Sequence, residues 1–390
     1  MEPADAQYTK LRWLLTVAGL LLYVGDIGTD VGLAGVYFQK GDSVWAGLTL
    51  AFVLAGLVVT QIFSYAWYRD DMSDAAKNAA GKPTVPGLSG GRLVVLHLSG
   101  MGIFSRYYHQ LKKGFIVVWK SPHSNASEER KDADRALFCM ATDLSMLKLF
   151  ETFLESVPQL LLQLYVALGH GGGSALQYTS MAFSFFNVAW SLTDYRRCLR
   201  RSLAHLREMP SGLPTAVYLL YKLCTISSHI LSYAVLLALS PYSSIGLTVL
   251  WLLGTTWTHA LQTDFCSSRK LELLYRAVIG VVLTFTFFNV KGQDTKVPMT
   301  VYYSLYFLVN VTAPFLLGFL KPELQKSPFL LTVSGLIFGG SVLGLCFLVL
   351  YYLFLHPREK WREADELDGV DGVVEATRAT RRRENFLRPG

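Results

Sequence analysis

Ten long apolar segments, joined by shorter polar connections, are the feature that most limits how this chain can fold. They lie at 11–38, 44–68, 93–118, 137–168, 176–195, 214–239, 244–262, 271–290, 298–320 and 328–356. A helix needs about 20 mostly apolar residues to cross a bilayer. Only 17% of the 390 residues are charged, whereas a soluble domain has about a quarter. The sequence therefore predicts an all-α polytopic membrane protein and excludes a conventional soluble enzyme.

Basic residues in the connections indicate which segments cross. The stretches 69–92, 106–135 and 196–207 are rich in Lys and Arg, which is typical of cytoplasmic loops. Segment 93–118 then starts and ends on the same side, so we predict that it enters the membrane and returns, and we expect the same of 271–290. The result is eight spans plus two partly inserted helices, with both termini cytoplasmic; nine or ten full spans is the competing count.

The same order of spans and partial helices occurs twice along the chain. Residues 1–208 are predicted to form an N-terminal repeat and 209–356 a C-terminal repeat, each with four spans and one re-entrant segment. Such internal repeats are common in transport folds. Residues 357–390 are polar and charged, and we predict a cytoplasmic regulatory tail there. The net charge of +7 is explained by basic cytoplasmic loops, so no nucleic-acid partner is predicted.

Charged residues recur inside the apolar segments. A carboxylate near the bilayer centre costs about 2.5–3.5 kcal/mol, so these side chains are expected to face inward and to have partners. Asp26 and Asp30 are one helical turn apart, as are Glu151 and Glu155, so each pair shares a helix face. Pro158 is expected to bend the helix that carries the second pair. The complete candidate set is Asp26, Asp30, Asp143, Lys148, Glu151, Glu155, Asp194, Lys222 and Arg276.

Two interpretations of this set stay open. The charges either form buried ion pairs that fix helix packing, or line a polar track that guides a hydrophilic group across the membrane. Four carboxylates suit calcium chemically, but their spacing is not that of an EF-hand, so we predict no metal and no cofactor. No phosphate-binding loop, GxSxG or HExxH motif is present, which argues against an enzyme. The five cysteines show no metal-ligand spacing.

The tail contains one sharp motif. Asp365-Glu366-Leu367-Asp368 followed by Gly369 has the form DExD/G, which executioner caspases cut after the last aspartate. A weaker overlapping site ends at Asp371. Cleavage after Asp368 would release the basic segment 369–390, which we expect to dock on an acidic cytoplasmic mouth of the track. A chance match within an acidic linker is the alternative.

These features resemble the XK-related family of membrane proteins over essentially the whole chain. The most specific stretches are 142–163 (TDLSMLKLFETFLESVPQLLLQ), 190–195 (WSLTDY), 287–295 (FFNVKGQDT) and the closing Tyr351-Tyr352 with His356-Pro357. The tail sequence DELDG is similar to that of the caspase-activated members.

The resemblance implies a phospholipid scramblase of the plasma membrane. Such a protein moves lipids in both directions, without ATP or a calcium switch, and exposes phosphatidylserine on apoptotic cells. The implied partners are phospholipids and a caspase-3-type protease, and family members differ in whether they need a single-pass immunoglobulin-type membrane partner. Asp26, Asp30, Glu151 and Glu155 would belong to the charged interior track, and Asp368 would be the scissile residue.

Two rival functions fit the same residues. A solute transporter or channel would also have internal repeats and buried charges, and ion currents or saturable uptake would favour it. A non-catalytic subunit of a membrane complex would use its buried charges only to hold the fold together.

Overall fold

The chain is described from a computed structural model, which covers residues 8–77, 90–120, 127–169, 175–202, 209–210, 212–290, 296–321 and 328–356. In these ranges the backbone forms helices and no strand. The α-helices in chain order are α1 (Lys10–Gln39), α2 (Ser43–Lys77), α3 (Gly90–Leu98), α4 (Gly102–Phe115), α5 (Ser127–Leu154), α6 (Ser156–Gly169), α7 (Ala175–Ser202), α8 (Leu213–Leu239), α9 (Ser243–Ala260), α10 (Arg269–Phe285), α11 (Lys296–Leu320) and α12 (Pro328–Leu350). The π-helical turns Ile116–Lys120 and Tyr351–Leu355 extend α4 and α12.

Within the described ranges, five helical segments are long and apolar enough to cross a membrane. They are Lys10–Gln39, Ser43–Ser73, Leu213–Leu239, Lys296–Leu320 and Leu330–Leu355. Large apolar side chains stay exposed along them, for example Leu21, Leu54 and Phe319, as expected where lipid replaces water. The prediction of an all-α membrane protein is thus confirmed, while the total of eight spans and the two repeats stay predictions.

The segment 93–118 is broken into two short helices, α3 and α4. At about 1.5 Å per residue, the 9 residues of α3 are too short for a hydrocarbon core of about 30 Å, whereas α4 with its π-helical extension, Gly102–Lys120, is close to that length. Gly100 ends α3 with φ +77°, a left-handed conformation that favours glycine. Its N–H donates to the His97 carbonyl (3.1 Å) and the Met101 N–H to the Leu96 carbonyl (3.0 Å), which is a Schellman C-cap. The turn therefore has the form that a re-entrant segment requires.

The segment 137–168 is also interrupted, at Glu155 between α5 and α6. Pro158 follows three residues later, and its ring excludes the backbone of Leu154 from a regular helical position. The Gln159 N–H then bonds the Glu155 carbonyl at 3.0 Å and starts the next helical run. The helix is thus interrupted one turn before Pro158, where a bend was predicted, and a carboxylate lies at the break.

Contacts divide the chain into two compact units. The first holds α1 to α4, most of α5 and the C-terminal end of α7; in it, α2 packs against α1, α3 and α4. The second holds α6, the start of α7 and α8 to α12, with α8 packed against α6, α11 and α12 and with α9 packed on α10. Lys222, Ser228, His229 and Ser232 are buried along α8, so the core of the second unit is partly polar.

A buried charged cluster as the candidate functional site

The first unit brings four of the predicted charges together. Asp30 and Glu151 are buried, with 6% and 5% of their surface exposed. Lys148, Asp26 and Asp30 are the charged groups that act electrostatically on Glu151. The Lys148 ammonium lies one turn before Glu151 on α5 and reaches the Gly19 carbonyl of α1 at 3.4 Å. One cation among three carboxylates thus forms an acidic centre between α1 and α5.

Asp194, near the C-terminal end of α7, extends this cluster. Arg197, Lys148 and Arg12 are the cations that act on its carboxylate, and its Oδ1 lies 3.9 Å from the Cys198 Sγ. Since Lys148 acts on both Glu151 and Asp194, the acidic groups of α1, α5 and α7 belong to a single electrostatic network. The cost of a carboxylate in the bilayer predicts inward-facing charges, and in the structure Asp26, Asp30, Lys148, Glu151 and Asp194 interact within the first unit; their role in a lipid path stays a prediction.

Asp143 has a separate partner, Arg106 of α4. The Arg106 Nη1 lies 3.6 Å from the Asp143 Oδ2, and both side chains are almost completely buried. The guanidinium also stacks over the Tyr68 ring, 4.1 Å from its centroid. The sequence analysis did not identify this pair; a lone arginine within an apolar segment was the available signal, because such a residue needs a buried partner.

Arg106 continues into a hydrogen-bonded chain that joins α4, α2 and α3. Its Nε donates to the Ser64 Oγ (2.9 Å) and its Nη2 to the Ser64 carbonyl (3.1 Å). The Ser64 Oγ lies 3.0 Å from the His97 Nε2, and the His97 Nδ1 lies 2.9 Å from the Leu93 carbonyl. A carbonyl only accepts, so His97 carries its proton on Nδ1 and accepts the Ser64 hydroxyl at Nε2. Burial lowers the pKa of His97, and the nearby Arg106 acts in the same direction, which favours this neutral ring.

In the second unit, α6 presents a polar face. Glu155, Gln159 and Gln163 follow one another at intervals of four, so they lie on one side of the helix. All three are buried, with Gln159 only 2% exposed. In the part of the chain that the structure describes, neither polar atom of the Gln159 amide has a hydrogen-bond partner. The sequence analysis missed Gln159, although its four-residue spacing from Glu155 was visible.

Lys222 of α8 fixes the chain just after α10. Its Nζ donates to the Thr286 Oγ1 and to the Phe287 carbonyl, both at 2.9 Å, and lies 4.9 Å from the centroid of the Tyr221 ring. Thr286 has an extended backbone that ends α10. The lysine thus satisfies polar groups that the helix end exposes, and it holds the backbone at Thr286 and Phe287.

Arg276 lies at the connection between α9 and α10. Its Nε is 3.4 Å from the Glu272 Oε1, and its Nη2 donates to the Thr263 carbonyl. The second Glu272 oxygen accepts the backbone N–H groups of Phe265 (2.9 Å) and Cys266 (2.7 Å). Glu272, which the sequence analysis did not single out, thus caps the loop and is the partner of Arg276.

The remaining predictions concern ligands and the tail. Among the described residues, no group of three or more His, Cys, Asp or Glu is arranged to hold a metal ion, and the five cysteines are not joined in disulfides. The caspase motif lies outside the described residues, with Asp365, Asp368, Gly369 and Asp371 all in 357–390.

The fold and the buried charges define a polytopic α-helical membrane protein with an ionic interior. A family model described as XK-related protein matches residues 14–357, so the chain belongs to the XK-related family. It is 56% identical over 383 residues to XK-related protein 9 of Tetraodon nigroviridis, covering 98% of this chain and all of that protein. It is 31% identical to XK-related protein 8 of Pan troglodytes (95% and 91% covered) and 30% identical to XK-related protein 8 of Tetraodon nigroviridis (93% and 87%).

Proposed function

We propose that this protein is a phospholipid scramblase of the plasma membrane. It moves lipids in both directions without ATP and exposes phosphatidylserine during apoptosis. The observation that carries the proposal is the charged cluster of the first unit, formed by Asp26, Asp30, Lys148 and Glu151. The barrier to lipid flipping is the passage of a charged headgroup through hydrocarbon. Polar side chains inside a helical bundle lower that barrier while the acyl chains stay in lipid, so the path is passive.

The polar face of α6 supports the same function. A buried amide without a partner costs about 1–3 kcal/mol, which packing alone does not offset. At Gln159 the amide offers both a donor and an acceptor, which suits the phosphate and ester oxygens of a headgroup and the water that accompanies it. Glu155, Lys222 and Arg276 of the second unit are also proposed to act on lipid headgroups; the contacts of Lys222 and Arg276 also give them a structural role.

The C-terminal tail is the proposed switch. Both termini are cytoplasmic, and a caspase-3-type protease cuts after Asp368, with Asp371 as a secondary site. The released segment 369–390 carries five arginines, so it complements the acidic interior. Proteolysis is irreversible, which suits an apoptotic signal. A single-pass immunoglobulin-type membrane protein is a further candidate partner.

The direct test uses the purified full chain in liposomes with fluorescent phospholipids, before and after caspase-3. We expect scrambling to appear only after the cut. Asp368→Ala should abolish activation by the main cut, and replacing Asp371 as well should remove the residual activation. Full activation of the doubly substituted chain would refute the tail switch. Ion currents or saturable solute uptake without lipid movement would instead favour a transporter or channel.

A second test separates transport from folding. Glu151→Gln removes a charge from the cluster and should reduce scrambling by the folded protein. Asp134→Asn is the matched control, because Asp134 is also a buried carboxylate of the first unit (4% exposed) that accepts the Tyr8 N–H at 3.3 Å, outside the predicted spans. Unchanged scrambling with Glu151→Gln, at equal surface expression, would refute the assignment of the cluster to the path.

A further inference from the structure

A crevice of about 540 Å³ lies between α2 and α3 within the first unit. This volume is in the range of small-molecule sites, about 300–1,000 Å³. Its walls are apolar, and it is separate from the charged cluster. The side chains that shape it are Leu57, Val58, Ile62, Tyr65, Val94 and Leu98.

The crevice opens on the surface that faces lipid. Val58, Ile62 and Leu98 are 53%, 43% and 84% exposed, and α2 contains one of the five candidate spans. The molecules in contact with such a surface are the acyl chains of the bilayer. The mouth of the crevice is therefore continuous with the lipid interface of the protein.

Three polar side chains that line the crevice, those of Gln61, His97 and Ser99, already have hydrogen-bond partners. The Gln61 Oε1 accepts the Gly102 N–H and its Nε2 donates to the Gly100 carbonyl, both at 3.0 Å. The two His97 nitrogens bond Leu93 and Ser64, and the Ser99 Oγ donates to the Leu96 carbonyl. A headgroup that binds any of these three side chains would have to displace one of their partners, whereas a hydrocarbon chain needs no polar partner. Because these polar side chains already have partners, the crevice favours an apolar occupant.

The same bonds prevent the crevice from closing. The Schellman turn at Gly100 fixes the end of α3, and the Gln61 amide ties that turn to α2. Gly102 packs so tightly that an added Cβ would overlap the Gln61 amide and the His97 ring. The side chains that line an apolar crevice which cannot collapse lack dispersion contacts on its open side. An acyl chain that enters from the bilayer restores these contacts.

We propose that the α2–α3 crevice holds one fatty acyl chain of a membrane lipid. The topology predicted from loop charge places the start of α3 on the cytoplasmic side, so the lipid comes from the cytoplasmic leaflet. The proposal concerns binding and does not depend on scramblase activity.

The test uses the full chain in liposomes that contain a phospholipid with a photoreactive diazirine near the end of its acyl chain. After irradiation, mass spectrometry locates the labelled residues. We expect labelling in 57–65 and 94–100 to exceed, severalfold, labelling of the lipid-exposed side of α9. A second lipid, with the diazirine on its headgroup, should not label the crevice.

Two matched variants decide whether the crevice itself is occupied. Val58→Trp fills it from α2 and should reduce α3 labelling severalfold, as should Val94→Trp from the other wall. Leu54→Trp is the control, because Leu54 lies one turn earlier on α2 and is 57% exposed but does not line the crevice. The proposal is overturned if labelling of the crevice equals that of α9, if the headgroup probe labels it, or if neither filling variant reduces labelling. Since the readout is labelling, these outcomes are distinct from a failure to scramble.

Discussion

The chain of hydrogen bonds through Ser64 provides a direct test of how the broken segment α3–α4 is held. Ser64 is completely buried, and its hydroxyl both accepts the Arg106 Nε–H and donates to the His97 Nε2. Ser64→Ala removes both bonds at once without enlarging a side chain. Its backbone carbonyl still accepts the Arg106 Nη2, so the arginine keeps part of its environment.

The expected loss follows from these two bonds. A bond from a charged donor contributes about 1.5–3 kcal/mol, and a neutral one about 1 kcal/mol. Hydrogen bonds between transmembrane helices have averaged less, about 0.6 kcal/mol with a maximum near 1.7. Together these ranges give about 2–3 kcal/mol for Ser64→Ala. For a unit of this size, that corresponds to a fall of about 5–10 °C in the melting temperature.

The assay is thermal unfolding of the detergent-solubilised protein, followed by tryptophan fluorescence. Ser99→Ala is the control, since the Ser99 hydroxyl is exposed and bonds only its own helix; it should shift the midpoint very little. Ser64→Cys should be intermediate, because a thiol is a weaker donor and acceptor. Hydrogen exchange should increase in 90–115 for Ser64→Ala. If Ser64→Ala is as stable as Ser99→Ala, the network does not hold this segment.

Three further substitutions test separate features. Gly280→Ala should lower the unfolding free energy by about 1–3 kcal/mol through overpacking, because the added Cβ would overlap Thr255 and lie 3.0 Å from the Trp251 carbonyl. Gly246→Ala is the control in the same thermal-unfolding assay. It should leave the unfolding free energy unchanged, because no atom lies within 4 Å of its added Cβ. Burial lowers the pKa of His97, so its neutral ring contributes stability that is complete above the unfolded pKa of about 6.5 and is lost as the pH falls towards the lowered pKa. The stability advantage of the wild type over His97→Gln should therefore shrink between pH 7.5 and 5, and a constant difference would contradict this. Gln159→Leu should raise the melting temperature yet reduce scrambling, since it removes an unpaired buried amide from the proposed path; a decrease in stability would show that the amide has a structural partner.

The fold class and the broken helices were predictable because the bilayer imposes strict rules. Apolar length identifies spans, and basic loops assign sides, so segment 93–118 was predicted to return to the side where it starts, and the structure breaks it at Gly100. Pro158 indicated that the helix would be distorted near Glu155, because the proline ring clashes with the backbone of the preceding turn. The number of spans is harder to predict from the sequence. Helix α5 carries several charges and α6 is only 14 residues long, so neither resembles an ordinary apolar span.

The pairing of the charges was not predictable from the sequence. Asp143 and Arg106 are 37 positions apart, and their contact depends on how α4 folds back after Gly100. Lys222 was predicted only as one of the inward-facing charges, and the sequence did not show that it binds the Thr286 hydroxyl and the Phe287 carbonyl. Hydropathy shows that a buried charge needs partners, but it does not distinguish a carboxylate from a carbonyl at a helix end.

These partners help to separate the two interpretations that the sequence left open. Arg106, Lys222 and Glu272 each have several partners that tie one helix or loop to another, so their loss should act first on folding. The Gln159 amide offers a donor and an acceptor that no described residue uses, and such violations of local rules are typical of functional sites. If the lipid path uses this face of α6, substitutions of Arg106, Lys222 or Glu272 should reduce transport in proportion to the loss of stability. Gln159→Leu should instead reduce transport without reducing stability.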